Sequence, residues 1–368
     1  MSSDCAIVGA SFAGLACATV LARRGLDVVV LERKHDAGDK LHTTGILVRD
    51  VIDQVSLFDT LPQALARRVE GVRLYAPNLT SVDLDAPGYY FLATDTHGVL
   101  RWMAEQAAAS GARVCWDTAF TSAARTRSGF DLGEDLGGTR YLVGADGPAS
   151  SVAKSLGLGR NRHFLAGIEH EYPGFAIDDP DRLHCFIDRR LMPGYIGWVV
   201  QGVGVTQVGL ARRLRGDAAE LKRAMQAFLV KIAPLFDFRA ATAATVRAGL
   251  IPCGGVVRPA SAARVVLVGD AAGLVSPVTA GGIHTALKHG LAAGHAIGDF
   301  LQGRGADPAG ALVADYPAFR VKRLLRFVFD HLQSDLACNL LLQTRAMRQA
   351  AALVYFHRRS VATPESAR

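Results

Sequence analysis

Apolar and polar positions alternate in different ways along the chain, and the changes of period mark its organisation. Near the start, Ala6-Ile-Val8 and Val28-Val-Val-Leu31 are fully apolar runs on either side of a helix-compatible segment from Phe12 to Arg24, which Gly25 breaks. Short runs of this kind predict strands buried on both faces, as in a parallel sheet. Arg140–Val143 and Val265–Val268 read the same way. Val48–Leu57, Val99–Ser110 and Gly282–Leu301 predict helices, the last rich in small residues. Val69–Leu74, Ser81–Leu84, Tyr89–Leu92 and Val114–Phe120 give shorter strand signals. From about Arg162 to Gly249 the period falls to two, with strands predicted at Leu183–Ile187, Gly194–Val200 and Thr206–Ala211 and one helix at Ala218–Ile232. Beyond Asp307 the chain reads as helical and basic.

The pattern predicts an α/β protein: a Rossmann-like parallel-sheet domain interleaved with a mixed β-sheet domain, followed by a C-terminal helical segment. The boundaries fall at 1–70, 93–160 and 250–305 for the first, 71–92 and 161–249 for the second, and 306–368 for the last.

Composition narrows the classes. Half of the 368 residues are apolar and a fifth are charged, enough for a large core. Met1-Ser-Ser-Asp4 runs straight into the first strand, leaving no room for a signal peptide. The longest uncharged stretch, Leu191 to Leu210, holds five glycines and a proline and makes a poor membrane span. Six cysteines are scattered without C-x-x-C or metal spacing, so they read as reduced packing residues of a cytoplasmic protein with no metal site. The net charge of +7 suits an anionic cofactor, a phosphorylated substrate or a membrane surface. No basic arm interleaved with aromatics appears, which argues against nucleic acid.

The candidate chemistry starts at Gly9-Ala-Ser11-Phe12-Ala13-Gly14, between the first strand and helix, with Glu32 and Arg33 closing the second strand. Strand, glycine turn, helix, strand and an acid about 20 residues on form a dinucleotide fingerprint, here written G-x-S-x-x-G. Alone it does not separate NAD from FAD.

Two later segments do so by resemblance. Val265 to Gly273 with Gly269-Asp-Ala-Ala-Gly273, then Pro277 and Gly281-Gly282-Ile283, closely resembles the second FAD fingerprint of the family that includes p-hydroxybenzoate hydroxylase and geranylgeranyl reductase. Leu142-Val-Gly-Ala-Asp146-Gly147 resembles that family's middle segment near the pyrophosphate. The resemblance implies bound FAD, with Asp270 on the ribityl hydroxyls and Asp146 and Gly147 near the pyrophosphate. It also sets Thr44 in the loop near the flavin ring. The helix N-terminus after Gly281 and Gly282, aimed at the pyrimidine edge, would stabilise a reduced ring.

Gly273-Leu-Val-Ser-Pro-Val-Thr279 and Ala248-Gly-Leu-Ile-Pro252 look most like geranylgeranyl reductases, which saturate isoprenoid double bonds. Their substrate-wall motif survives in part: Trp198 and its spacing remain, while Ile196, Val200, Gln201 and Ala211 replace the expected residues. Tyr195 is displaced by one position, which on a strand puts it on the opposite face. The family's ring-side cysteine loop is Thr43-Thr44-Gly45 here. Trp198 either walls a pocket or is a core aromatic, and His284 and His42 are either proton donors or polar caps.

The expected activity is therefore FAD-dependent reduction of a C=C bond in a small hydrophobic substrate. NAD(P)H docking transiently, or a ferredoxin-like protein, would be the donor. The same motifs also serve aromatic or polyketide hydroxylation, and a flavin-binding interaction protein without turnover is a third reading. The C-terminal segment, with Arg320, Lys322, Arg323, Arg326, Arg345 and Arg348 among Leu, Phe and Val, either contacts a membrane weakly or packs over the flavin domain.

Overall fold

A computed structural model describes residues 2–39, 41, 43–213 and 218–356. The elements that position the site are, in chain order, β1 (Ser2–Val8), α1 (Phe12–Arg23), β2 (Val28–Leu31), α2 (Arg49–Gln54), β3 (Gly71–Tyr75), β4 (Ser81–Asp85), α3 (Thr96–Ala109) and β5 (Arg113–Cys115). They continue with β6 (Gly138–Gly144), α4 (Ser151–Ser155), β7 (Phe164–Pro173), β8 (Arg182–Phe186), β9 (Gly197–Gln201), β10 (Val205–Arg213), α5 (Ala218–Ile232), β11 (Thr245–Pro252), β12 (Val265–Leu267) and α6 (Ile283–Leu301). Four helices end the described chain: α7 (Ala309–Ala314), α8 (Arg320–Leu332), α9 (Asp335–Leu341) and α10 (Arg345–Phe356).

The buried apolar runs pair as expected. Strands β12-β6-β1-β2-β5 are parallel neighbours in one sheet, with Cys5 opposite Val28 and Tyr141, and Leu142 opposite Val265. Helices α1 and α6 pack closely against each other because α6 presents Gly290 and Gly294: a Cβ on Gly290 would sit 2.4 Å from the Ala13 carbonyl oxygen, and one on Gly294 2.7 Å from Val20 Cβ. Small residues along α6 thus set the position of the fingerprint helix.

The second sheet has seven strands in the order β11-β7-β10-β9-β8-β3-β4. One face is apolar and closed by α5, with Phe186, Val199, Val208 and Leu210 against Met225 and Phe228. The opposite face is part apolar, where Leu74, Cys185 and Val200 meet Leu342 and Phe356 of the C-terminal helices, and part charged. The charged part meets the Thr43–Gly45 loop of the first unit.

Several sequence expectations shift. The strand expected at Val114–Phe120 stops at Cys115, where Glu32 N–H takes the Cys115 carbonyl and the chain turns. The Gly194–Val200 strand begins only at Gly197, because Gly194 N–H and Tyr195 N–H bond to Gln333 and Met192 rather than to a neighbouring strand. Tyr195 is therefore not bound by strand alternation: it joins the same cluster as Trp198 and Ala280, and its hydroxyl donates to the Thr279 carbonyl. Strands β7 and β11 were not among the sequence-predicted strands.

Candidate FAD and substrate site

Each fingerprint lies at the carboxyl end of a parallel strand, and the strands are adjacent. Asp270 follows β12, Asp146 follows β6, Gly9 follows β1 and Glu32 follows β2. With strands about 4.8 Å apart, the row from Asp270 to Glu32 spans roughly 14 Å along one sheet edge. This is the crevice in which doubly wound folds bind nucleotides.

The turn after β1 is built to bring backbone close. Gly9 has φ of 104°, and a Cβ there would meet the Ala145 carbonyl oxygen at 2.4 Å; one on Gly14 would meet Gly9 O at 2.1 Å. Ser11 is the N-cap of α1: its hydroxyl accepts from Gly14 N–H at 3.3 Å and donates to Ala145 O at 3.0 Å. With φ of −100° the position does not require glycine, so serine here adds a cap without closing the turn. Phe12 and Ala13 are buried in the helix, and Arg33 is exposed beside Glu32. Buried Glu32 accepts from Ala10 N–H at 2.8 Å and Lys34 N–H at 3.0 Å, so its carboxylate is fixed at the mouth of the turn.

Asp146 is held differently. Its Oδ2 accepts from Ser151 N–H at 2.6 Å and Val152 N–H at 3.1 Å, capping α4, while its buried Oδ1 has no partner. Gly147, with φ of 82°, turns the chain beside it. Burial raises the Asp270 carboxyl to about 6, and its backbone oxygen is held by Asn161 at 2.9 Å. Gly282 lies against it, a Cβ there falling 3.5 Å from Asp270 Oδ1, and α6 begins immediately after at Ile283. Gly281 is exposed. A close-approach turn, a fixed ribose-side acid, an unpartnered buried oxygen and a helix N-terminus in one row fit FAD in extended form.

Against the Thr43–Thr44 loop stands a charged face of the second sheet that the sequence did not reveal. Arg247, Glu169, Gly209 and Trp198 occupy one rung across β11, β7, β10 and β9. The next rung on that face holds Glu171 and Gln207. Trp198 Nε1 donates to Glu169 Oε2 at 2.9 Å. Arg247 lies 2.6 Å from Glu171 and 3.7 Å from Glu169, and it also donates to the Thr43 carbonyl. Gln207 bonds the Thr44 carbonyl and Glu171. Glu169 is 4 % exposed, and burial pushes its carboxyl up to about 7 against the opposing pull of Trp198, Arg247 and the Thr44 side chain.

Of the expected catalytic residues, Trp198 lies at this face, and Thr44, expected on the cofactor side, meets it there. His284 does not join it through any bond: its Nε2 lies 3.1 Å from Gln54 Oε1 of α2, and burial lowers its pKa. His42 lies outside the described residues. Among the described residues no cluster suited to a metal occurs.

The site and fold define a flavoprotein of the oxidoreductase class. Residues 2–321 match the model of the FAD binding domain family, and the chain belongs to that family. It is an FAD-dependent oxidoreductase of the geranylgeranyl-reductase-like kind. It is 28% identical to digeranylgeranylglycerophospholipid reductase 2 of Methanosphaera stadtmanae, over 80% of this chain and 77% of that protein. Digeranylgeranylglycerophospholipid reductase 1 of Methanothermobacter thermautotrophicus is 27% identical, over 79% and 76%. In fold it matches a geranylgeranyl bacteriochlorophyll reductase-like protein from Thermoplasma acidophilum, with a TM-score of 0.81 at 18% identity over 97% of both chains. A probable FAD-dependent monooxygenase from Pseudomonas aeruginosa shares the fold at a TM-score of 0.71, 18% identity, and 96% and 100% coverage.

Proposed function

We propose that the protein reduces a carbon–carbon double bond of an isoprenoid-like substrate. The observation that carries this reading is the apolar wall beside the cofactor row: Leu165, Ala211 and Cys253 form a buried patch with Trp198, Tyr195 and Ala280 packed on it. Ala280 belongs to the segment leading into α6, so the patch adjoins the predicted ring side of the site. FAD bound there would supply hydride chemistry, with NAD(P)H or a ferredoxin-like protein as the electron source. The chain's own share is to hold the cofactor through Glu32 and Asp270, to exclude water with the apolar patch, and to fix Trp198 through Glu169.

A lipid-like substrate has to leave a membrane, and the C-terminal helices offer a surface for that. On α8 the apolar stripe Val321, Leu324, Leu325, Val328 and Leu332 is exposed, while the one buried residue is Arg326, which pairs with Asp330 at 2.7 Å. An apolar stripe turned outward, flanked by exposed Arg320 and Arg323, suits peripheral contact with an anionic bilayer. It does not suit the alternative of a helix burying that stripe on the flavin unit. Among the described residues no helix is long and apolar enough to cross a membrane.

Anaerobic mixing of prereduced protein with a digeranylgeranylglycerophospholipid in detergent tests the reaction. Return of the oxidised-flavin absorbance supports double-bond reduction. Substrate-stimulated O2 consumption with a hydroxylated product overturns it in favour of a monooxygenase.

A further inference from the structure

The charged face beside Trp198 places two carboxylates against one guanidinium in a buried setting. Arg247 sits closer to Glu171, at 2.6 Å, than to Glu169, at 3.7 Å, so Glu171 takes the larger share of its charge. Like charges in one buried site cannot both ionise freely, and the carboxylate with the weaker partner is the one that keeps a proton. Glu169 Oε1 is buried and has no hydrogen bond, and neither has Gln207 Oε1 on the next rung. Buried polar atoms are nearly always paired, so two such oxygens on one face point to an occupant that satisfies them. Both residues adjoin Thr44, and Glu169 is bonded to Trp198, which places this face between the loop of the first unit and the apolar wall.

We propose that Glu169 is the proton donor of the substrate site, an inference that rests on the double-bond reduction proposed above. As the π bond is lost, bound reduced FAD would supply the hydride that forms a C–H bond at one alkene carbon. The π electrons take the Glu169 proton at the other. The carboxylate left behind is held by the Trp198 N–H and the Arg247 guanidinium, and water returns the proton. A group that titrates near neutrality, as Glu169 does through burial, matches general acid chemistry at ordinary pH. The charged groups facing it are Glu171 and Arg247, with Trp198 and Thr44 as neutral donors.

The test uses dithionite-reduced, FAD-loaded protein mixed without oxygen with a digeranylgeranylglycerophospholipid, and follows flavin reoxidation against pH. In the wild type the rate falls as pH rises through about 7. Glu169→Gln slows reoxidation about a hundredfold or more and abolishes that alkaline limb, while reduction by dithionite is unchanged. Glu169→Asp restores part of the rate. Trp198→Phe, which removes a bond to the charged form, moves the limb to higher pH. A second readout needs no turnover: the infrared carbonyl band of protonated carboxylic acids in resting protein at pH 6, to which Asp270 also contributes, loses its Glu169 component in Glu169→Gln. Equal rates and pH profiles for wild type and Glu169→Gln, or an unchanged infrared band, overturn the assignment. If wild-type protein is not reoxidised at all, the double-bond reduction itself fails, and with it Glu169 as the donor of that proton.

Discussion

Trp198 and Glu169 lie on strands separated by a third, yet the indole reaches the carboxylate at 2.9 Å because Gly209 stands between them. A Cβ on Gly209 would fall 2.3 Å from the indole Cζ2. The glycine is a passage for the side chain that joins the apolar wall to the charged face.

Gly209→Ala therefore displaces the indole and breaks its bond to Glu169. Overpacking of this kind costs roughly 1–3 kcal/mol. The expected outcome is a lower urea midpoint with an unchanged slope and an altered near-ultraviolet tryptophan signal. An unchanged midpoint would show that the indole does not lie over Gly209.

Glu32→Arg replaces the acid fixed at the mouth of the turn with a cation that cannot accept ribose hydroxyls. The wild type is expected to purify yellow and to melt at higher temperature on addition of FAD. The variant is expected to be colourless and to show no shift with FAD, read by absorbance and thermal melting.

Asp270 gives a pH signature. Burial raises its folded-state pKa to about 6, above its ordinary value, so the folded state binds this proton more tightly than the unfolded state does. This group therefore weakens the cofactor-free protein above pH 6, and the penalty is relieved as pH falls through about 6 towards the ordinary carboxylate range. Asp270→Asn is expected to stabilise the cofactor-free protein at pH 8 by about 1–2 kcal/mol and to weaken FAD binding. Melting curves of both proteins at pH 8 and pH 5 check this, and the difference between them should shrink at the lower pH.

The outward stripe on α8 predicts lipid contact that depends on both apolar surface and charge. In liposome flotation, more protein should float with anionic than with neutral vesicles, and Val321→Glu with Leu324→Glu should abolish the difference. Equal recovery from both vesicle types would reject the membrane role.

The cofactor row was legible in the sequence because it is made by backbone. Gly9, Gly14 and Glu32 are tied to fixed places at strand ends, so spacing locates them, while Asp270 was located by the resemblance of its segment to a second FAD fingerprint. Ser11 looked like a departure only until its capping role was visible. The charged face was not legible, for a physical reason. Glu169, Glu171 and Arg247 occupy inward positions of β7 and β11, where alternation leads one to expect apolar residues, and their charges hid both strands. The alternation Glu169-His-Glu171 was the available signal: two acids spaced for one face of a strand. Tyr195 misled because the face rule holds only inside a strand, and β9 starts two residues later.

In the proposed reaction this site adds hydrogen across a double bond. One anaerobic turnover of prereduced protein with a digeranylgeranylglycerophospholipid, followed by mass spectrometry of the lipid, tests it most directly. The expected product is heavier by one pair of hydrogens for each flavin reoxidised. Unchanged lipid, or a product that gains oxygen only when air is admitted, would contradict it.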